Sequence, residues 1–386
     1  MKPVFATFAS ALLVALSSLA SATDPAPASA QVPLPEPPQL DAKGHLLVDH
    51  NSGAVLAEHN ADERLEPASL TKILTAYVVF HELAKGNLSL DDQVLISENA
   101  WRTGGSRMFV EVGKQVSVRD LLLGVIIQSG NDASVALAEH IAGSEATFAE
   151  LMNTHAKRLG MTNSHFTNSD GLPHPEQYST ARDMALVTAA TVREFPDYYA
   201  WYAEKEFLWN NIRQPNRNLL LNRDPSVDGV KTGHTKAAGY CLVASANREG
   251  TRLTSVVMGA RGAEARAQAS LALLNYGFRF FESHRLYPGG QPVETLRVYK
   301  GEVKALPVGP AEDLWASIPR GQYDKLSAHL VKHPRIQAPI AQGEVVGEIV
   351  VSLEDKEVRR VPLVALREVG AGGIWSKARD SVLKWF

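Results

Sequence analysis

The sequence predicts an α+β protein: a large mixed domain, a small mostly β domain, and a short amphipathic helix at the end. Three observations predict it. Apolar residues recur at helical spacing after Ser69, after Ser117 and from Glu264. Alternating apolar and polar residues mark hairpins near both ends of the large domain. After His284 the helical period fades, and Gly and Pro punctuate short β-like segments. A chain of 386 residues is long enough for one large core and a smaller second one.

Taken in order, Lys2 and the apolar run Val4 to Leu19 precede two small-x-small sites, Ala20-Ser21-Ala22 and Ala28-Ser29-Ala30. That layout predicts a cleaved signal peptide over residues 1–22, with cleavage after residue 30 as the alternative, and hence export. The run is short for a membrane span, which needs roughly 20 apolar residues. Residues 23–39, rich in Pro and Ala, read as a disordered leader. His45 to Asp49 and Ala54 to Glu58, joined by Asn51-Ser52-Gly53, form a hairpin that opens a domain over 40–284.

Leu70, Ile73, Leu74, Tyr77, Val78 and Phe80 predict a helix from Ser69 until Lys85-Gly86-Asn87 stops it. A second helix runs from Val118 to Gln128 with Ser117 as its cap, and a third from Ala133 to Ile141. Val227 to Val230 is a strand leading into Lys231-Thr232-Gly233. Tyr240 to Ala246 and Leu253 to Met258 are two strands around Asn247-Arg248-Glu249-Gly250, and a long helix covers Glu264 to Phe281. The β domain, residues 285–370, contains strands at Thr295 to Tyr299, Val345 to Leu353 and Val358 to Val364. The last segment, 371–386, follows a glycine hinge at Gly370 to Gly373. It places Ile374, Trp375, Ala378, Val382, Trp385 and Phe386 on one face of a helix about 20 Å long, too short to cross a bilayer. Such a helix either lies in a membrane interface or docks on its own protein.

Composition excludes several classes of function. A net charge of −3 gives no excess of Lys and Arg for a polyanion, so nucleic acid is not a partner. The single Cys241 excludes internal disulfides and multi-cysteine metal sites. Twelve histidines form no His-Glu-x-x-His pattern, so neither a metal nor a cofactor is expected.

The chemistry points to Ser69-Leu70-Thr71-Lys72. A chain of this size contains about one or two Ser-x-x-Lys matches by chance, and Ser381-Val382-Leu383-Lys384 is a second one without partners. In the first turn of a helix the Ser69 hydroxyl sits near free N–H groups, and Lys72 projects from the same face. A serine hydroxyl needs a base, and a lysine serves only if its pKa falls, as a second nearby cation would make it do. Taken alone, Ser69 is more simply a helix cap. Ser129-Gly130-Asn131 at a helix end adds a hydroxyl and an amide, and Lys231-Thr232-Gly233 adds a cation, a hydroxyl and room for close backbone approach. The ordered trio is the signature of penicillin-binding proteins and serine β-lactamases, with Ser-Gly-Asn here in place of Ser-Asp-Asn.

On Pro67 to Ile73, Ser129 to Ala133, Tyr178 to Met184, Asp228 to Thr235 and Gly277 to Phe281, the chain resembles the low-molecular-mass penicillin-binding proteins, serine D-alanyl-D-alanine carboxypeptidases of the five/six type. The likeness is most specific from about Leu40 to Phe281 and looser beyond. It implies a β-lactamase/DD-peptidase-like fold, an antiparallel sheet with helices on both faces. It also implies peptidoglycan stem peptides as substrate, β-lactams as inhibitors, and residence on the periplasmic face of the inner membrane through the terminal helix.

By the same resemblance Ser69 is the nucleophile, Lys72 its base, and Ser129 a proton relay to the leaving D-alanine. Asn131 holds the substrate amide and Lys72, while Lys231 and Thr232, with Gly233 beside them, bind the terminal carboxylate. The N–H groups of Ser69 and His234 form the oxyanion hole, and Arg266, or failing it Arg261, also contacts the carboxylate. Two readings compete. A serine β-lactamase of class A needs a deacylating glutamate, and no Glu-x-x-Leu-Asn stretch lies between Asn131 and Lys231. A vestigial penicillin-binding module should show a broken trio, and all three motifs are intact.

Overall fold

β1 (Gly44–Asp49) and β2 (Val55–His59) form the expected hairpin. The structure, a computed structural model, describes residues 34–373. The expected signal peptide and Ile374 to Phe386 lie outside the described residues, and 34–40 carry no helix or strand. The chain then enters a helical lobe: α1 (Thr71–Ala84), β3 (Gln93–Leu95), α2 (Glu98–Arg102), β4 (Gln115–Ser117), α3 (Val118–Leu123), α4 (Asn131–Ala142), α5 (Glu145–Arg158), α6 (Ala181–Glu194) and α7 (Pro196–Tyr199). A small hairpin of β5 (Glu206–Trp209) and β6 (Ile212–Pro215) follows. Next come β7 (Val227–Thr235), β8 (Gly239–Arg248), β9 (Thr251–Ala260) and α8 (Ala263–Phe280).

These five long strands make one antiparallel sheet in the order β2-β1-β9-β8-β7. Its two faces are written in the alternation of each strand. On β8, Cys241 and Val243 join the core that holds α1 and α4, whereas Leu242, Ala244 and Ala246 join the core under α8. On β1, Leu46 goes to the first and Leu47 to the second. Helices therefore cover both faces, with α6 and α8 each packed on β9 from opposite sides. An antiparallel sheet with helices on both faces is what the resemblance leads one to expect.

The last part contains β10 (Phe281–Tyr287), β11 (Glu294–Arg297), β12 (Ala305–Gly309), β13 (Leu314–Pro319), β14 (Leu326–Lys332), β15 (Val345–Leu353) and β16 (Lys356–Ala365). Five of these form a second antiparallel sheet, β11-β12-β16-β15-β14, around its own apolar cluster, while β10 pairs with β13. Two domains with separate cores result. The boundary drawn at 284/285 falls inside β10, because this strand starts directly after α8. The buried Asp49 ties the domains together: it accepts hydrogen bonds from Asn51 N, Ser52 N and, across the junction, Ser317 Oγ.

Three expectations need correction. The helix expected through Gln128 stops at Leu123, and one π turn, Gly124–Gln128, replaces its end. Ser117 does cap it, accepting from Asp120 N. Ser69 precedes its helix in a 3₁₀ turn, Ala68–Leu70. At the end, Ala371 bridges Gly301 and Gly372 N donates to Lys300 O at 2.8 Å, so 371 and 372 are paired backbone and not the start of a helix or a free hinge.

Candidate active site

Packing between a turn and a strand places Ser69. Its 3₁₀ turn lies against β7 at Gly233, where an added Cβ would stand 3.1 Å from Pro67 O and 3.2 Å from Leu70 N. Any larger residue would push the strand away from the serine. Gly171 approaches from the other side: it has φ +85°, and a Cβ there would sit 1.9 Å from Ala68 O. Ala68 itself has φ +48° and Ser129 φ +67°, two non-glycine residues in the left-handed region beside the two motif hydroxyls. Such conformations cost on the order of 1–3 kcal/mol and persist only where the surroundings fix them.

The π turn adds one residue to the helical path just before Ser129. Ser129 N closes this turn on Gly124 O, Gly130 N donates to the same oxygen at 2.9 Å, and α4 restarts at Asn131. Asn131 is clamped by three bonds: its N donates to Ser106 O at 2.7 Å, its Nδ2 donates to Gly104 O at 2.7 Å, and its Oδ1 accepts from Lys72. An amide fixed in this way presents its oxygen to the lysine.

Lys72 is 1% exposed, and its ammonium donates to Asp170 O at 2.5 Å, Asn131 Oδ1 at 2.7 Å and Ser69 Oγ at 3.2 Å. Burial pulls its pKa down to about 8, opposed by the Asp170 and Asp132 carboxylates and helped by Arg217. Lys231 is also buried, and its pKa falls well below the ordinary lysine value, through burial first and then Lys72, Arg217 and Arg266. The second-cation argument thus needs revision: desolvation leads for both lysines. Lys231 Nζ donates to Thr232 O at 3.1 Å.

A cavity of about 570 Å³ opens between the helical lobe and the sheet edge, lined by Ser69, Ser129, Arg217, Thr232, His234 and Arg266 among others, including Gly233. Lys72, Asn131 and Lys231 are buried and do not line it. Arg266, from the first turn of α8, donates to Gly233 O at 2.9 Å and Cys241 O at 3.3 Å, and its guanidinium lies 5.5 Å from the Tyr240 ring centre. Tyr240 in turn packs on His234 with ring centres 4.0 Å apart. Arg261 is 82% exposed, pairs with Asp41 and does not line the cavity. Arg217 does line it and was missed in the sequence, because no motif surrounds it in the coil after β6. Its pKa, like that of Arg266, is lowered by burial. Guanidiniums nevertheless stay charged at any working pH, so these two carry the positive charge of the wall.

The second Ser-x-x-Lys copy at Ser381 lies outside the described residues. The structure brings all nine proposed residues from Ser69 to Arg266 to one seam, on α1, α4, β7, α8 and the turns between them.

A two-faced antiparallel sheet joined at its edge to a helical lobe bearing a buried lysine hydrogen-bonded to a cavity-lining serine defines the class of the serine DD-peptidases and their β-lactamase kin. Comparison with known proteins then narrows the class. The sequence profile described as D-alanyl-D-alanine carboxypeptidase matches residues 31–262, and that of the penicillin-binding protein 5 C-terminal domain matches 281–371. The chain is 46% identical over 363 residues to the D-alanyl-D-alanine carboxypeptidase DacC of Escherichia coli (strain K12), covering 91% of each. The crystal structure of penicillin-binding protein 5 from Haemophilus influenzae superposes with a TM-score of 0.83 at 44% identity, covering 86% of this chain and 99% of that one. Penicillin-binding protein D2 of Listeria monocytogenes, in its ampicillin-bound form, gives a TM-score of 0.58 at 30% identity over 62% of this chain and all of that one. The chain belongs to the D-alanyl-D-alanine carboxypeptidase family, as a low-molecular-mass penicillin-binding protein of the serine type.

Proposed function

We propose that the chain removes the terminal D-alanine of peptidoglycan stem pentapeptides through an acyl-enzyme on Ser69, and that β-lactams acylate the same oxygen. The observation that carries the reading is the buried Lys72 ammonium, 3.2 Å from Ser69 Oγ, with a pKa of about 8.

As an ammonium, Lys72 has three donors and three acceptors around it. On losing a proton it keeps two N–H groups. Asp170 O and Asn131 Oδ1, the two closer partners, retain them, and the lone pair turns to Ser69. The Ser69 oxygen then attacks the carbonyl carbon of the penultimate D-alanine while its proton passes to Lys72. The N–H groups of Ser69 and His234 receive the oxyanion. As the C–N bond breaks, the leaving nitrogen takes a proton through Ser129. Water next adds to the acyl carbon, the bond to Ser69 Oγ breaks, and the hydroxyl is restored.

Arg266 and Thr232, both on the cavity wall with Gly233, receive the terminal carboxylate, and Lys231 holds the Thr232 carbonyl. Asn131 orients Lys72 and the substrate amide. A β-lactam enters by the same attack, but its leaving nitrogen stays tethered in the opened ring, so the acyl-enzyme persists. We assign the catalytic domain to the segment from residue 40 to α8 and the β domain to the segment from β10 to residue 370.

The expected signal peptide and terminal amphipathic segment support placing the protein on the periplasmic face of the cytoplasmic membrane. Among the described residues no helix is long and apolar enough to cross a membrane. Purified protein should form a covalent adduct with labelled penicillin; Ser69→Ala should abolish it, and Ser381→Ala should not. Normal labelling of Ser69→Ala would reject the mechanism. Release of free D-alanine from a pentapeptide separates a carboxypeptidase from a mere binder.

A further inference from the structure

Away from the cavity, α1 and α5 pack together and bring His81, Glu82 and His155 into one cluster. Each offers one ligand atom, and these atoms lie within 4.8 Å of one another. In a tetrahedral site, ligand atoms about 2.0–2.2 Å from the ion stand roughly 3.3–3.6 Å apart, so a rotation of these side chains closes the gap. We propose that His81, Glu82 and His155 bind a divalent transition-metal ion of the zinc type, pinning α5 to α1.

Independent of the spacing, both histidines are short of partners. His155 is 5% exposed, and its Nδ1 is buried without a hydrogen bond; the Nδ1 of His81 is likewise buried and unbonded. A buried polar atom left unpaired costs on the order of 1–3 kcal/mol, and an ion would satisfy it. The rings meet edge to face with centres 4.5 Å apart, so the two imidazoles are direct neighbours. The third ligand is placed for the same task. Glu82 Oε2 is held by Asn87 Nδ2 at 2.7 Å, while Oε1 faces His81 Nδ1 at 3.6 Å, beyond hydrogen-bond distance.

Two nitrogens and one carboxylate oxygen suit zinc and leave a fourth position for water. Two cations oppose the ion. Lys85 lies 3.5 Å from Glu82 Oε1 but is 53% exposed and can withdraw into water. Arg158 is engaged by Glu194 at 3.4 Å and by the Tyr77 hydroxyl.

His81 stands nine residues beyond Lys72 on α1, about 14 Å along the axis. The ion would therefore fix the far end of the helix that carries Lys72 and take no part in the reaction. Sequence gave no hint of this, because His155 comes from another helix 74 residues away.

The test uses the full exported chain without an affinity tag, stripped with chelator and titrated with zinc chloride by calorimetry near pH 7.5. One site per chain is expected, with a rise in Tm and a penicillin acylation rate changed less than about twofold, since no ligand touches the cavity. Glu82→Gln, His81→Ala and His155→Ala should each weaken binding by at least about tenfold, the lower bound for losing even an outer-shell partner. Cobalt(II) should give a tetrahedral visible spectrum that these variants lose. His59→Ala, at the separate stacked pair His45–His59, should bind as the parent does. If His155→Ala fails to fold, Glu82→Gln, a near-isosteric change at a half-buried position, decides alone. No zinc binding by the parent, binding unchanged in Glu82→Gln, or loss only in His59→Ala would overturn the proposal.

Discussion

Acylation of Ser69 should track the neutral form of Lys72, and its pH profile reads that group directly. Burial lowers the Lys72 pKa, Arg217 lowers it further, and Asp170 and Asp132 pull back, leaving a value of about 8 against an ordinary 10.5. At a pKa near 8 the neutral fraction is about 1% at pH 6, about 9% at pH 7, half at pH 8 and about 90% at pH 9. The second-order rate constant with a fluorescent penicillin should thus rise roughly ninetyfold from pH 6 to pH 9, with unit slope at first and a plateau above pH 8. A lysine at its ordinary value would give roughly a thousandfold rise over the same range and no plateau.

Rapid-quench labelling at fixed ionic strength measures this without interference from screened surface charge. Lys231→Arg, charged at every pH used, should keep the inflection and so assign it to Lys72 rather than Lys231. Arg217→Met should move the inflection upward, because it removes a cation that disfavours the ammonium. A rate that stays flat between pH 6 and pH 9 would refute Lys72 as the base. A downward move in Arg217→Met would refute the electrostatic account.

Three further outcomes are expected. Gly171→Ala should destabilise the fold by more than about 1 kcal/mol, since φ +85° and a 1.9 Å approach to Ala68 O both oppose a side chain; thermal melts should show a Tm lower by several degrees, and penicillin labelling should slow with it. In metal-free buffer, stability should fall as pH drops from about 6.5 toward 4, because His50 and His155 are held near 4 when folded and bind protons only on unfolding across that window; His155→Asn should remove part of the fall in Tm. Deleting the segment after Gly373 should move the protein from the membrane fraction to the soluble fraction, and unchanged membrane association would reject the interfacial helix.

The motif residues were legible because each short pattern is local, and its place on a helix start, helix end or strand follows from its neighbours. The strands on either side of Asn247 to Gly250, and the long helix after them, were legible for the same reason: an unbroken period of two or 3.6 survives in a single sequence. α5 and α6 left weaker traces. Their capping residues, Ser144 and Thr180, are plain enough in hindsight, but His155, Thr188 and Thr191 are polar residues on buried faces and blur the apolar stripe. In the β domain, β14 alternates poorly because most of it is exposed or half-buried, and one apolar row is too little to mark a strand.

What could not be read from the letters was electrostatic. Lys72 owes its lowered pKa to burial first, and its position to Asp170 O, 98 residues away, and to an amide clamped by the Gly104 and Ser106 carbonyls. Periodicity carries no record of either contact. The sequence argument therefore rested its proposed base on an incomplete reason, a second cation, where desolvation comes first. Nor could the setting of Ser129 be read: it lines the cavity and follows a π turn where a continuous helix through Gln128 was expected. Ser69 remains a cap-like serine by its own four residues. It becomes a credible nucleophile because Gly233 and Gly171 let a strand and a loop close on its turn from both sides. Lys72 is kept dry beside it, and that burial is the first cause of a pKa low enough for a base near neutral pH.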